Sequence, residues 1–319
     1  MASRDEQAST LPGVLPTLAA GFDTVTAHLW LVLIPILLDL FYWIGPRLSS
    51  RRLMLDLVEL FREAGVMPEM TSQLAEMAER TNLFTLVSVP YLGVPGLMAG
   101  FVMPAQTPMS PSVREVSEPL VWLGLFVALI VLGLVVATVY YGLVAVVVRE
   151  DHFTTPNVAR FLSRLPLYWL RIFGLALALL FIVLAIYLPL MVFTTLVALL
   201  SPAAASLVMF SGFAIILWLI FHLSFSMHGI LLRERPVLWA LLDSLRLVRR
   251  HWLPALILIM AVLLVRTLSA WLWLAVDTGS WLTLASIVGY AFVNTAMVAA
   301  MFVFYRDRYD AQLLRQQRI

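Results

Sequence analysis

Asp39 and Arg266 lie inside apolar runs of the sequence, where a charge is costly unless it is paired. They fall at similar expected depth. The chemistry open to them is a buried ion pair that holds two helices, or the polar lining of a transport path. His222 and His228 lie together in a third run. Six residues turn a helix by about 600°, which leaves the two rings roughly 120° apart and off any shared metal-binding face. No HExxH or other zinc spacing occurs, and Ser224 and Ser226 have no Gly-x-Ser-x-Gly elbow to make them nucleophiles. Polar contact between helices is the expected role of these groups, and Asn294 is expected to make one interhelical hydrogen bond. No residue is assigned a catalytic role, and no metal or cofactor is expected.

The elements that position these groups follow from hydropathy. The chain is 62% hydrophobic and 13% charged, against roughly 25% charged residues in soluble proteins. Apolar runs repeatedly exceed the ~20 residues that cross a bilayer core. The expected fold is all-α and polytopic, a single membrane domain over 1–319 with spans near Val25–Ile44, Leu120–Val148, Leu167–Leu199, Leu207–Leu232, Trp252–Val276 and Trp281–Tyr305. The runs are continuous rather than alternating, which excludes a β-barrel. All 21 basic residues are arginine, and cysteine is absent, which removes disulfides and thiolate chemistry. Residues 1–10 are polar and of mixed charge, unlike a cleavable signal peptide.

Between the runs an order of features recurs. Leu11, Leu15, Leu18, Phe22, Val25 and Leu29 give a helical apolar stripe that leads into the first span. Val158, Phe161, Leu162 and Leu165 form a second stripe, with Arg160 and Arg164 opposite. A third stripe is Leu238, Leu241, Leu242, Leu245 and Val248, with Asp243, Arg246 and Arg250 opposite and Arg249 beside them. Thr155 and Pro156 are expected to start the second of these helices. An arginine followed by an acid closes a span at Arg149-Glu150, Arg233-Glu234 and Arg306-Asp307. Three units, each a surface helix and two spans, account for this order. A polar tail is expected from Arg306 onward.

The first unit carries an insertion, 45–119. Its first half reads as two amphipathic helices, Arg51–Ala64 and Glu69–Asn82. Its proline-rich second half, Leu83–Pro119, is expected to lie as an ordered loop against the outer membrane surface. A re-entrant loop is the alternative, and it needs partners for its backbone in lipid. The loops expected on one side hold most of the arginines, and the short turns 201–203 and 277–280 hold none. The positive-inside rule then puts both termini in the cytoplasm. The insertion has six arginines, but long loops translocate largely regardless of charge. The interfacial arginines (Arg149, Arg160, Arg164, Arg233, Arg246, Arg249, Arg250 and Arg306) are expected to meet lipid headgroups or the cytoplasmic interface.

The run Leu231-Leu232-Arg233-Glu234-Arg235-Pro236, then Ala240 to Leu247, then His251-Trp252, resembles a motif of six-helix bacterial membrane families. Among these are the membrane domain attached to some glycerophosphoryl diester phosphodiesterases and related uncharacterised integral membrane proteins. The resemblance implies a six-helix membrane domain and carries over no catalytic residue, since the phosphodiesterase chemistry belongs to a separate soluble domain. The expected function is a non-enzymatic scaffold, accessory subunit or lipid-associated module. Its partners would be membrane lipids and a protein bound through 45–119 or the surface helices, with no nucleic acid. A small-molecule transporter lined by Asp39, Arg266, His222 and Asn294 is the alternative, and a lipid-modifying membrane enzyme the third.

Overall fold

A computed structural model describes residues 11–65, 68–89, 91–100, 104, 106–150 and 155–316; at 68, 70, 150, 155, 156 and 313–316 only the backbone is described. The expected signal-free tail (1–10), the acid at Asp151 and the side chains of Glu150, Thr155 and Pro156 therefore lie outside the described residues. The elements are α1 (Val14–Ala27), α2 (Leu33–Ile44), β1 (Arg47–Ser49), α3 (Arg51–Glu63), α4 (Pro68–Glu79), β2 (Val113–Glu115), α5 (Pro119–Glu150), α6 (Thr155–Ala198), α7 (Pro202–Leu223), α8 (Ser226–Arg233), α9 (Val237–Arg250), α10 (Trp252–Leu274) and α11 (Thr283–Gln316). Five helices are long and apolar enough to cross a membrane, or six if a bent helix pair counts as one span. The protein is thus predominantly α-helical and fits a multi-pass membrane protein.

The chain forms two compact units. One comprises Met1–Thr17, Ala145–Ala261 and Met301–Ile319, and the other Leu18–Val144 and Val262–Ala300. We call them the exit unit, because it holds the three arginine-acid exits, and the loop unit, because it holds the insertion.

Several boundaries differ from the sequence reading. The turn from the N-terminal amphipathic helix into the first apolar run falls after Ala27 rather than at Val25: the chain bends by 95° between Val14–Ala27 and Leu29–Ile44. His28 stands at the bend, its Nδ1 3.1 Å from the Thr24 carbonyl. The second surface helix is not separate, because α6 continues through Pro166 into the apolar run. The expected fourth span breaks at Ser224-Phe225, between α7 and α8. The polar tail after Arg306 stays helical to Gln316. A small parallel pair, β1 with β2, joins the two ends of the insertion, so the fold is not purely helical. Asn82 Oδ1 helps fix that neck by accepting from the backbone N–H of Leu48 at 3.1 Å and of Phe84 at 3.2 Å.

Part of the second half of the insertion packs into the core of the loop unit. Leu92, Val94, Leu97 and Met98 are buried, and Leu83, Val87, Leu97 and Met98 share a core with Tyr42, Trp43, Leu129, Ile287 and Tyr290. Gly133 of α5 lets the loop approach: a Cβ there would stand 2.3 Å from the Val87 carbonyl oxygen. Gly133 is about 21 Å along α5 at ~1.5 Å per residue, so the loop reaches well down the helix. The missing backbone partners that disfavour such a loop in lipid are supplied by side chains. The Tyr141 hydroxyl donates to the Gly93 carbonyl at 2.8 Å, and Asp39 takes two N–H groups.

Candidate functional site

In the loop unit, Asp39 is fully buried. Its two carboxylate oxygens accept from consecutive backbone N–H groups, Leu97 at 2.7 Å and Met98 at 2.8 Å. Gly96 makes this possible, since a Cβ at that position would stand 2.4 Å from Asp39 Oδ1. The expected Asp39–Arg266 ion pair is not formed. The loop satisfies the carboxylate first, with fixed dipoles that need no counter-charge. Arg266 is half-buried and pairs with no carboxylate among the described residues. It lies beside the Tyr290 hydroxyl, which also neighbours Asn294 and is within electrostatic reach of Asp39.

Asn294 donates from Nδ2 to the Tyr290 carbonyl within its own helix at 3.1 Å, not between helices as expected. Its Oδ1 is buried without a partner, as are the hydroxyls of Ser269 and Ser286. Ser286, Tyr290 and Asn294 follow at helical spacing along one face of α11, and Arg266 and Ser269 along one face of α10. Asp39, Arg266 and Asn294 are thereby brought around one tyrosine. His222 is not with them.

His222 belongs to the exit unit, with Nδ1 2.8 Å from the Trp218 carbonyl and its ring 4.1 Å from the Trp218 ring. His228 packs against the Phe302 ring at 4.3 Å and the Phe225 ring at 5.5 Å. Both are aromatic-core histidines. The serines beside them mend the break in the helix. Ser244 Oγ on α9 donates to the His222 carbonyl at 2.8 Å and accepts from the Phe225 N–H at 3.1 Å. Ser224 and Ser226 bond back to Phe221 and Leu223 carbonyls. This also corrects the face of α9. The buried positions are Ala240, Asp243, Ser244, Leu247 and Val248, whereas Leu238 is exposed. Asp243 is not on a solvated face, because Arg235 pairs with it at 2.9 Å.

The three exits of the exit unit meet one another. Arg149, of the first exit, lies 3.7 Å from Glu234 of the second. Arg233, of the second, pairs with Asp310, one turn beyond the third exit. Arg306, of the third, donates to the Val148 carbonyl beside the first at 2.7 Å. The contacts close a ring: first to second, second to third, third to first. The three arginine side chains are equally accessible, at 26%, 27% and 29%, and Arg233 is within electrostatic reach of both others.

Glu234 gathers further donors. It sits at φ 54°, a left-handed turn that ends α8 and swings its carboxylate toward α6. There it pairs with Arg164 and accepts from the Tyr168 hydroxyl at 3.1 Å, while Arg171 donates to its carbonyl at 2.5 Å. Arg149, Arg164 and Arg233 therefore hold protein acids. Arg160, Arg246, Arg249 and Arg250 are exposed. The closed ring was foreshadowed by the recurrence of arginine and acid at span ends. The loop's hold on Asp39 had no sequence signal beyond Gly96 in an apolar, proline-rich stretch. Compared with known proteins, the chain matches no family model, no curated protein and no solved structure.

Proposed function

We propose that this protein is a non-enzymatic, lipid-associated module of a bacterial cytoplasmic membrane, with six spans in three repeated units and both termini in the cytoplasm. It serves as a scaffold or accessory subunit. The observation that carries this reading is the closed ring of exits, with each unit's arginine held by the next unit. Such a ring gives the arginines a fixed place where helices leave the membrane, the depth of anionic headgroups. The exposed Arg246, Arg249 and Arg250 of α9 extend the basic face. On the insertion, Leu57 and Leu60 of α3 are exposed and offer a place for a protein partner. Kinship with the phosphodiesterase-linked membrane domains is part of the same proposal and rests on residues 231–252.

Native mass spectrometry of the protein released from its own membrane tests the reading. Retained lipid, or a co-purifying protein at fixed stoichiometry, is the expected result. A bare monomer carrying neither would sink it. A second reading, transport of a small polar solute, is favoured by the meeting of Asp39, Arg266 and Asn294 around Tyr290. It expects solute flux in proteoliposomes that Arg266→Gln abolishes, and flux unchanged in that variant would exclude this path.

A further inference from the structure

We propose that Arg149, Arg233 and Arg306 jointly bind one phosphate monoester at the centre of the exit ring. This deepens the lipid-associated reading and rests on it. Arg233 lies within electrostatic reach of both Arg149 and Arg306, so the ring brings like charges near one another. Arg164 and Arg171 stand beside them at Glu234. A dianion placed among them relieves that repulsion.

Two further observations point to a missing acceptor. The Nε of Arg233 is buried with no partner, although its Nη2 serves Asp310. The Tyr305 hydroxyl, on a fully buried side chain within electrostatic reach of Arg233, has no partner either. Both are donors, and a donor left unpaired in a buried place costs free energy that an acceptor would recover. Guanidinium is planar and forked, matched to phosphate oxygens. A monoester presents three terminal oxygens, one for each arginine of the ring, whereas a diester presents two. The site should therefore prefer phosphatidic acid to phosphatidylglycerol. Free inorganic phosphate has the same chemistry and is the other source.

The test uses the full chain in nanodiscs of neutral phosphatidylcholine. One arm adds phosphatidic acid or phosphatidylglycerol at equal mole fraction, and the other adds inorganic phosphate. Native mass spectrometry reads retained lipid, and thermal unfolding reads stabilisation. Phosphatidic acid retained at one per chain, at least tenfold over phosphatidylglycerol, supports a headgroup site. A rise in Tm with inorganic phosphate, and none with the lipid, supports a free-phosphate site. Arg149→Gln, Arg233→Gln and Arg306→Gln should each lower retention or stabilisation at least tenfold, because each removes one of the three guanidinium groups that hold the phosphate. Should one variant fail to fold, the wild-type headgroup preference still decides. Anionic lipid retained alike by wild type and all three variants overturns the site and leaves lipid association standing. If neither arm changes the wild type, both fall.

Discussion

Two carboxylates hold this protein together in opposite ways. Asp39 is sealed inside the loop unit and held by two backbone N–H groups of a folded-in loop. Glu234, in the exit unit, is one-third exposed and held by arginine side chains. Backbone donors are fixed and carry no net charge, so they satisfy one acid and leave nothing over. Guanidinium groups bring whole charges and several donors each, and in the ring Arg233 Nε is left over. The first arrangement staples the chain to itself. The second can exchange partners, which is what a binding surface requires.

This contrast predicts unequal responses to mutation. Asp39→Ala should have the largest effect. It leaves two buried N–H groups unpaired, at about 1–3 kcal/mol each, and frees the loop. Thermal unfolding in neutral nanodiscs should show a loss that is the same at low and high salt, because no ion pair is involved. A salt-dependent loss would mean that Asp39 acts through a charge partner. Glu234→Gln should cost less, about 1 kcal/mol after screening of a partly exposed cluster. That difference should vanish near 1 M salt, where the Debye length is about 3 Å. Persistence at high salt would make Glu234 a structural staple like Asp39.

The smallest expected effect is a coupling. Asp39→Ala combined with Arg266→Leu should be additive to within about 0.5 kcal/mol, since the loop and not Arg266 satisfies the carboxylate. Arg266→Leu alone should leave Tm unchanged or raise it, because no described acid loses a partner. A coupling above that threshold in a double-mutant cycle would restore the ion pair that depth alone suggests.

A second contrast lies in how the helices are covered. Only 6% of the apolar stretch of α6 is buried within the protein, against 72% for α11. Leu199 and Leu200, where α6 turns toward α7, are among the most exposed residues of the chain. Mean hydropathy is 2.8 for the stretch of α6 and 1.9 for that of α11, so the more buried helix is the less apolar one.

Much of the layout was nonetheless legible. Hydropathy located the long helices because backbone groups can be satisfied in lipid only within helices or closed barrels. The last five expected apolar runs lie in helical segments to within two residues at their ends, with the run Leu207–Leu232 divided between α7 and α8. The recurrent arginine and acid marked side chains that meet in one ring. The same pattern misled where a local period had two readings. The expected stripe of α9 starts at Leu238 and leaves Asp243 opposite, whereas the buried side includes Asp243 and turns on Ser244, which bridges the break between α7 and α8. The expected surface helix over Val158–Leu165 and the apolar run from Leu167 form one helix, with Pro166 inside it.

The sequence alone determined that this chain forms long apolar helices and that arginines gather at their ends, because those properties depend on composition and short-range period. Tertiary structure decided which acids meet which donors. Asp39 and Leu97 are separated by most of the insertion, and Arg149, Glu234 and Asp310 by whole helices. Hydrogen-bond partners are set by distance in space, and no local pattern in the chain carries that information.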